Sequence, residues 1–224
     1  MKVASFEKLD NSLTPVIVKV GDRETPVWIQ QRCNAGKYQE QVKYSGCGHT
    51  CAAMMATLLG KKITPHEEFE LCVECWGEPN SKPVEFTEYP FITVSGIVEI
   101  LTKLGVKAKY YPIKPIGVKK ATEHMLSEVK NGKLACFISV PSESFPENPF
   151  SKGHHYVLIV GFMEGGKILI ANSSVKHQPE IEGINIVDAE TIEKALSPVA
   201  DPLPNRTWGV MENLDEACGY IIAE

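Results

Sequence analysis

Helix patterns occupy the first part of this sequence and short apolar strand patterns follow, an order that restricts the folds open to the chain. Segments patterned like helices span residues 50–60, 64–76, 93–104 and 121–130. Apolar runs then span residues 134–140, 155–162 and 167–171, and Glu-Gly-Gly at 164–166 predicts a tight hairpin between the last two. This order predicts an α+β fold with an antiparallel sheet rather than alternating βαβ units.

The predicted elements fit one domain over residues 1–224. Two β-rich runs at 15–20 and 26–30, joined by a Gly-Asp turn, predict an N-terminal β-hairpin extension within residues 1–36. Residues 37–200 form the predicted core, and residues 201–224 form a tail with a closing strand at 219–223. A domain of this size buries about 70% of its unfolded surface. We therefore expect it to fold without a disulfide or a metal.

Charge and hydropathy exclude two classes of function. Lysine and arginine number 23 against 28 acidic residues, a net charge of −5, so binding to nucleic acid through phosphate neutralisation is not expected. No apolar run reaches the roughly 18 residues of a membrane-spanning helix, and none is predicted. Acidic residues lie where a signal peptide would place its apolar segment. We therefore predict a cytoplasmic location, where all seven cysteines would be free thiols.

Cys47 lies between two glycines, directly before a helix pattern. A helix N-terminus favours a thiolate through its unpaired N–H groups and its dipole. Gly46 and Gly48 would let a substrate backbone come close. Gln41, six residues earlier, could donate its side-chain N–H₂ to an oxyanion beside the Cys47 N–H, with Gln39 or a merely solvated glutamine as alternatives. Cys47 is therefore a candidate nucleophile.

His155 begins a buried strand pattern, and Asn172 ends the neighbouring strand of the predicted hairpin. A general base must be held rigidly, and an amide at the adjacent strand end could fix the imidazole tautomer. His154 would point to the opposite face of the strand, and Asn172 also suits ordinary turn chemistry. Cysteine, histidine and asparagine in this chain order form a candidate thiol acyl-transfer triad.

These pieces together resemble a papain-like cysteine peptidase, specifically the bacteriocin-leader-peptidase type (family thirty-nine) and its stand-alone relatives. The resemblance rests on Gln41 followed six residues on by Cys47-Gly48 at a helix start. It also rests on Gly-His before an apolar strand that ends in Gly161-Phe162. His155, rather than His154, matches the spacing of that family. Asn172 holds the position of the usual Asp, and His49 holds that of a frequent Pro. We expect no attached transporter.

The resemblance implies a papain-like fold, with a helical lobe packed on a twisted antiparallel sheet. It also implies a thiol-dependent hydrolase that cleaves peptide or amide bonds in a peptide or protein substrate. Cys47 would form the acyl-enzyme, His155 would act as general base, and Asn172 and Gln41 would assist. No cofactor or metal would be needed. A peptidoglycan-cleaving amidase or endopeptidase and a non-catalytic peptide-binding protein that keeps the cleft are the alternatives.

Cys72 and Cys75 form a CxxC pair inside the helix pattern at 64–76. A redox motif of the thioredoxin type would follow a strand instead. A zinc site would need two more ligands, for which Cys33 and His66 are candidates. We therefore favour ordinary core or surface thiols for this pair.

Overall fold

The computed structural model describes residues 6–7, 16–20, 23–29, 36–78, 91–140, 142, 144–174, 183–196, 207–208 and 219–224. Its helices are α1 (Gln39–Ser45), α2 (Cys47–Leu58), α3 (Pro65–Trp76), α4 (Val94–Lys103), α5 (Val118–Lys130) and α6 (Ala189–Ala195). Its longer strands are β2 (Val16–Val20), β3 (Arg23–Val27), β5 (Ala108–Pro112), β6 (Leu134–Ser139), β7 (His155–Phe162), β8 (Ile168–Ala171), β9 (Ile184–Val187) and β11 (Gly219–Ala223). Two-residue strands are β1 (Phe6–Glu7), β4 (Phe91–Ile92) and β10 (Thr207–Trp208).

A six-stranded sheet organises the molecule, with the strand order β5-β11-β6-β7-β8-β9. All of its neighbouring strands pair antiparallel. The β7–β8 hairpin forms where the Glu-Gly-Gly signal predicts it, with a single 3-10 turn at Glu164–Gly166. The predicted strand at 219–223 forms as β11 and lies inside the sheet, between β5 and β6. The α+β prediction is therefore confirmed.

Helices cover both faces of this sheet, which explains why its strands are apolar runs rather than alternating patterns. Side chains of α2, α3 and α4 pack on one face with alternate strand residues, among them Cys136 and Leu158. Side chains of α5 and α6 pack on the other face with the intervening residues, among them Phe137 and Val157. Successive strand side chains point to opposite faces, so each strand contributes to both cores.

The predicted N-terminal hairpin forms from β2 and β3, which pair antiparallel from Val16↔Val27 to Val20↔Arg23. It contacts the rest of the protein through α2 and β7. The Arg23 guanidinium donates a hydrogen bond to the Val160 carbonyl of β7. The hairpin thereby packs on the same two elements that carry Cys47 and His155. The division into residues 1–36, 37–200 and 201–224 stays a prediction.

Local signals place most helix ends correctly. Thr64 caps α3 with a reciprocal capping box to Glu67, and Pro65 is its first residue, as the cap pattern predicts. The helix expected at 50–60 is α2, which begins three residues earlier at Cys47. Strand β5 and helix α1 were not predicted. Strand β5 is short and half-exposed, and α1 has only seven residues, so neither has a strong periodic signal.

The described residues include no helix that is both long enough and apolar enough for a membrane crossing. Residues 79–90 lie outside the described residues. Cys33 lies outside them as well.

Candidate active site

Cys47 is the first residue of α2, and Gly46 connects α1 directly to this helix. The Gly46 carbonyl accepts the first hydrogen bond of the helix, from the Thr50 N–H at 2.8 Å. The predicted position of the sulfur at a helix N-terminus is therefore observed. The residue is only 5% exposed, which is deeper than a sulfur at the surface of an open cleft.

We expected the two glycines beside Cys47 to let a substrate come close. In the structure they instead allow close packing of neighbouring groups. Both are buried. A Cβ on Gly46 would lie 2.2 Å from the Val42 carbonyl oxygen, in the tight turn between α1 and α2. A Cβ on Gly48 would lie 2.4 Å from Ile92 and 3.1 Å from the Tyr156 ring. Neither position tolerates a side chain without movement of its neighbours, so the glycines fix where α2 begins.

His155 and Asn172 meet at the end of the β7–β8 hairpin. The His155 Nε2 lies 2.8 Å from the Asn172 Oδ1, and both residues are buried. The predicted contact between this imidazole and this amide is present. His154 is half-buried at the preceding position.

The surroundings of Asn172 determine which way its amide points. Its Nδ2 donates to the Phe150 carbonyl at 3.1 Å and to the Asn185 Oδ1 at 2.7 Å, while its Oδ1 accepts from the Ser174 N–H at 2.9 Å. A backbone carbonyl can only accept and a backbone N–H can only donate, so the opposite amide orientation is excluded. The His155 Nε2 must therefore donate to Oδ1, which leaves Nδ1 as the basic nitrogen of the neutral ring.

The Cys47 thiol lies against β7, at the residue after His155. Burial raises the pKa of this thiol to about 11, and the backbone N–H groups of Tyr156 and Gly48, which contact the sulfur, lower the pKa by less. The direction of this shift is opposite to the one expected from the sequence for a sulfur at a helix N-terminus.

Gln41 lies on α1, half-buried, one and a half turns before the helix junction at Gly46. Its backbone carbonyl accepts a hydrogen bond from the Ser45 hydroxyl at 3.1 Å. The alternative, Gln39, is the exposed first residue of α1. Its exposure favours Gln41 of the two, and the oxyanion role of Gln41 stays a prediction.

Comparison with known families decides what kind of protein carries this arrangement. The model of the Peptidase_C39 like family matches residues 33–195, which is well over half of the chain. The chain belongs to this family. The match includes Gln41, Cys47, His155 and Asn172, and it ends before β11.

Solved structures give a more distant similarity to this C39-like chain. A Bacillus anthracis protein, crystallised as a candidate C39-like peptidase, aligns with a TM-score of 0.49 and 17% sequence identity. The alignment covers 80% of this chain and 88% of the other. No curated protein matches the sequence significantly.

The C39-like chain also carries a buried polar cluster on the far side of α2 that sequence reasoning missed. His49, Glu68 and Cys72 are fully buried, and their side chains contact one another. Of the two additional zinc ligands considered from the sequence, His66 is half-buried elsewhere on α3, and Cys33 lies outside the described residues. A polar His49 inside an otherwise apolar helix and the i, i+4 spacing of Glu68 and Cys72 were the available signals.

The described cysteines of this C39-like chain are all free thiols. Cys51 and Cys136 lie in the core. Cys72 is buried and Cys75 is half-buried on the same helix, α3.

Burial of Cys47 should make the stability of the C39-like fold depend on pH. In the unfolded chain this thiol ionises near its ordinary pKa of 9.0, whereas its folded pKa is about 11. Between these values the folded state binds more protons, so stability falls as pH rises. We expect Cys47 alone to lower the free energy of unfolding by roughly 2–3 kcal/mol between about pH 9 and 11.

Urea denaturation under reducing conditions, on the natural protein and on Cys47→Ala, measures this contribution as the difference between the two pH curves. Burial also raises the pKa of Cys51, Cys72 and Tyr156. The contribution of Cys72 cancels in the difference, and those of Cys51 and Tyr156 cancel except for the part that each owes to Cys47. Parallel curves for the two proteins would contradict the prediction.

Proposed function

We propose that this protein is a cysteine peptidase in which Cys47 is the nucleophile, His155 the general base and Asn172 the residue that orients the imidazole. The observation that carries the proposal is the 2.8 Å contact between the His155 Nε2 and the Asn172 Oδ1. It leaves the basic Nδ1 of His155 on the strand that the Cys47 sulfur touches. Nucleophilic catalysis requires a base held by a third residue within reach of the thiol, and the contact of the sulfur with the backbone next to His155 supports this proposal.

The reaction would start from a neutral thiol. The Nδ1 of His155 accepts the thiol proton as the Cys47 sulfur attacks the carbonyl carbon of the substrate. The carbonyl oxygen becomes an oxyanion, which accepts hydrogen bonds from the Cys47 N–H and from the side-chain amide of Gln41. The imidazolium then returns its proton to the leaving amine, and the peptide C–N bond breaks to leave a thioester.

A water molecule completes the cycle. His155, neutral again, accepts a proton from water as its oxygen attacks the thioester carbonyl. The second tetrahedral intermediate uses the same two oxyanion donors. When it collapses, the carbon–sulfur bond breaks and the proton on His155 passes to the departing sulfur. Cys47 regains its thiol and the acid product leaves, so the enzyme needs no metal or other cofactor for this reaction.

One observation favours the alternative of a non-catalytic binding protein with the same fold. Cys47 is 5% exposed, and its pKa is raised rather than lowered. A substrate carbonyl would need space next to the Cys47 sulfur, so neighbouring side chains would have to move slightly before it could bind. The cytoplasmic location stays a prediction.

Site-resolved alkylation separates these two functions. With iodoacetamide at neutral pH, we expect Cys47 to react at least about 10-fold faster than Cys75, because a positioned base accelerates proton loss by about 10²–10⁴-fold. Cys75 is the more exposed thiol of the two but has no described base beside it. Peptide mass spectrometry gives the rate at each cysteine.

His155→Ala is the decisive variant in this experiment. It should slow the alkylation of Cys47 by about 10²-fold or more and leave the rate at Cys75 unchanged. Cys51→Ala, a change of another buried thiol on the same helix, should leave the Cys47 rate unchanged. Faster reaction at Cys75 than at Cys47, or equal Cys47 rates with and without His155, would favour the binding protein.

A further inference from the structure

The cluster formed by His49, Glu68 and Cys72 lies between α2 and α3, away from the candidate active site. His49 is two residues beyond Cys47, so the two side chains leave α2 on roughly opposite sides. Cys47 faces strand β7, while the His49 ring packs on Phe69 of α3, with ring centroids 4.7 Å apart. The cluster is therefore a separate feature, which the proposed peptidase chemistry does not use.

Three different ligand types converge in this cluster. The His49 Nδ1 lies 2.6 Å from the Glu68 Oε2, and the Cys72 sulfur lies 3.4 Å from the Glu68 Oε1 and 3.6 Å from the His49 Nδ1. All three side chains are fully buried. Burying an ionisable carboxylate, an imidazole and a thiol together carries a large desolvation cost. Such a cost is commonly offset where the groups hold a cation.

We propose that His49, Glu68 and Cys72 form a binding site for a zinc ion that links α2 to α3. Imidazole nitrogen, carboxylate oxygen and thiolate sulfur are the three protein ligand types of zinc. A neutral imidazole, one carboxylate and one thiolate balance the charge of a divalent ion, so the loaded site would be electrically neutral.

The spacing of the donor atoms suits this ion. Zinc bonds of about 2.0–2.3 Å in tetrahedral geometry separate the ligand atoms by about 3.3–3.7 Å. The Cys72 sulfur lies 3.4 Å from the Glu68 Oε1 and 3.6 Å from the His49 Nδ1, both within this range, and one ligand atom from each residue lies within 4.8 Å of the other two. The His49 Nδ1 makes its 2.6 Å hydrogen bond to the other carboxylate oxygen, Oε2. A zinc ion bound to Oε1, Nδ1 and the sulfur would replace this hydrogen bond.

The sequence of α3 makes the site geometrically simple. Glu68 and Cys72 are four residues apart and so project from one face of the helix, and His49 of α2 faces them. The site needs no loop to close, because both helices are well formed around it. Since the cluster is buried, the ion would enter as the two helices pack during folding.

Refolding in the presence of zinc tests the site. The protein used is Cys47→Ala, which removes the thiol–imidazole pair of the candidate active site as a competing ligand set. After refolding from urea with ZnCl₂ and dialysis, elemental analysis should find one zinc per chain. At a free zinc concentration 100-fold above the dissociation constant, the melting temperature should rise by about 5–10 °C. Cobalt(II) in place of zinc should show the intense visible absorption of a tetrahedral site.

Variants of α3 locate the ion. On the Cys47→Ala background, Cys72→Ser and Glu68→Gln should each weaken zinc binding by about 100-fold or more, measured by competition with a chromophoric chelator. Cys75→Ser is the matched control, because it removes the other thiol of the CxxC pair from the same helix, and it should change the affinity by less than about threefold.

Several results would overturn the proposal. If refolded Cys47→Ala, the parent protein of these variants, contained no zinc, the proposal would be overturned without any variant of α3. Stoichiometric zinc that survives Cys72→Ser would place the ion elsewhere. An equal loss of affinity in Cys75→Ser would assign binding to the CxxC pair. Because the parent protein lacks Cys47, none of these outcomes depends on whether the chain is a peptidase.

Discussion

Replacing Cys47 with alanine should lower kcat for peptide hydrolysis by at least about 10⁴-fold, the largest effect that we expect from any single substitution in this protein. Loss of the nucleophile removes the covalent route altogether, and only oxyanion stabilisation and substrate positioning remain. Because the side chain is small and buried, KM should change little. A library of fluorogenic peptides, assayed with the natural protein first, supplies the substrate for this measurement.

Cys51→Ala is the control for this experiment. It deletes a thiol one helical turn further along α2, also buried in the same core, and it should keep kcat within about threefold because the reaction does not involve it. Equal hydrolysis by the natural protein and by Cys47→Ala would remove Cys47 from the mechanism. A similar loss in both variants, together with a loss of helical signal by circular dichroism, would instead indicate damage to α2.

Replacing Asn172 with aspartate should destabilise the protein by about 2–4 kcal/mol, even though aspartate is the residue that the resemblance leads one to expect here. In the structure the Nδ2 of Asn172 donates to the Phe150 carbonyl and to the Asn185 Oδ1. The carboxylate oxygen that replaces Nδ2 would face two acceptors in a buried site. The other oxygen would keep the hydrogen bonds from the Ser174 N–H and the His155 Nε2, so the cost comes from the one oxygen whose donors are replaced by acceptors. Urea denaturation gives the free energy of unfolding.

A double substitution tests whether the two acceptors near position 172 cause this loss of stability. With Asn185→Ala, one of the two opposed acceptors is absent, so Asn172→Asp should cost about 1 kcal/mol less than it does in the natural protein. Asn131→Asp, at an exposed helix end, should change stability by less than about 0.5 kcal/mol. Additive effects of the substitutions at positions 172 and 185 would show that the amide network does not select asparagine.

The same amide network shows where prediction from the sequence succeeded and where it stopped. Chain order and local spacing were enough to nominate Cys47, His155 and Asn172, because each lies at an element boundary that local patterns mark. The reason for asparagine could not be predicted. It depends on Asn185 and on the Phe150 carbonyl, which approach Asn172 only when β9 and the loop before β7 are in place.

The buried cluster between α2 and α3 illustrates the same limit. From the sequence, the CxxC pair directed attention to Cys33 and His66 as partners of Cys72. The actual neighbours are Glu68, one turn away on the same helix, and His49 on a different helix. The contact between Cys72 and Glu68 follows from helical periodicity. The contact between Cys72 and His49 depends on how two helices pack, which no local pattern specifies.

For the glycines beside Cys47, the predicted position at the start of a helix was correct, but the reason that we gave for the two glycines was not. Their small size suggested room for a substrate, whereas the structure fills that room with Val42, Ile92 and Tyr156. The strand β5 shows the converse case, since its half-exposed residues give a weak apolar pattern. It is a strand because β11 lies beside it.

The interior position of β11 also has a consequence for how the chain reaches its native state. Strands β5 and β6 are near in sequence, yet each pairs with β11 rather than with the other. Ladder contacts between segments so far apart are entropically slow to form. The edge made by β5 should therefore be the last part of the sheet to consolidate and the first to open. The region matched by the family model alone would leave β5 without its β11 partner and would expose the edge of β6 that β11 covers, while β6 would still pair with β7.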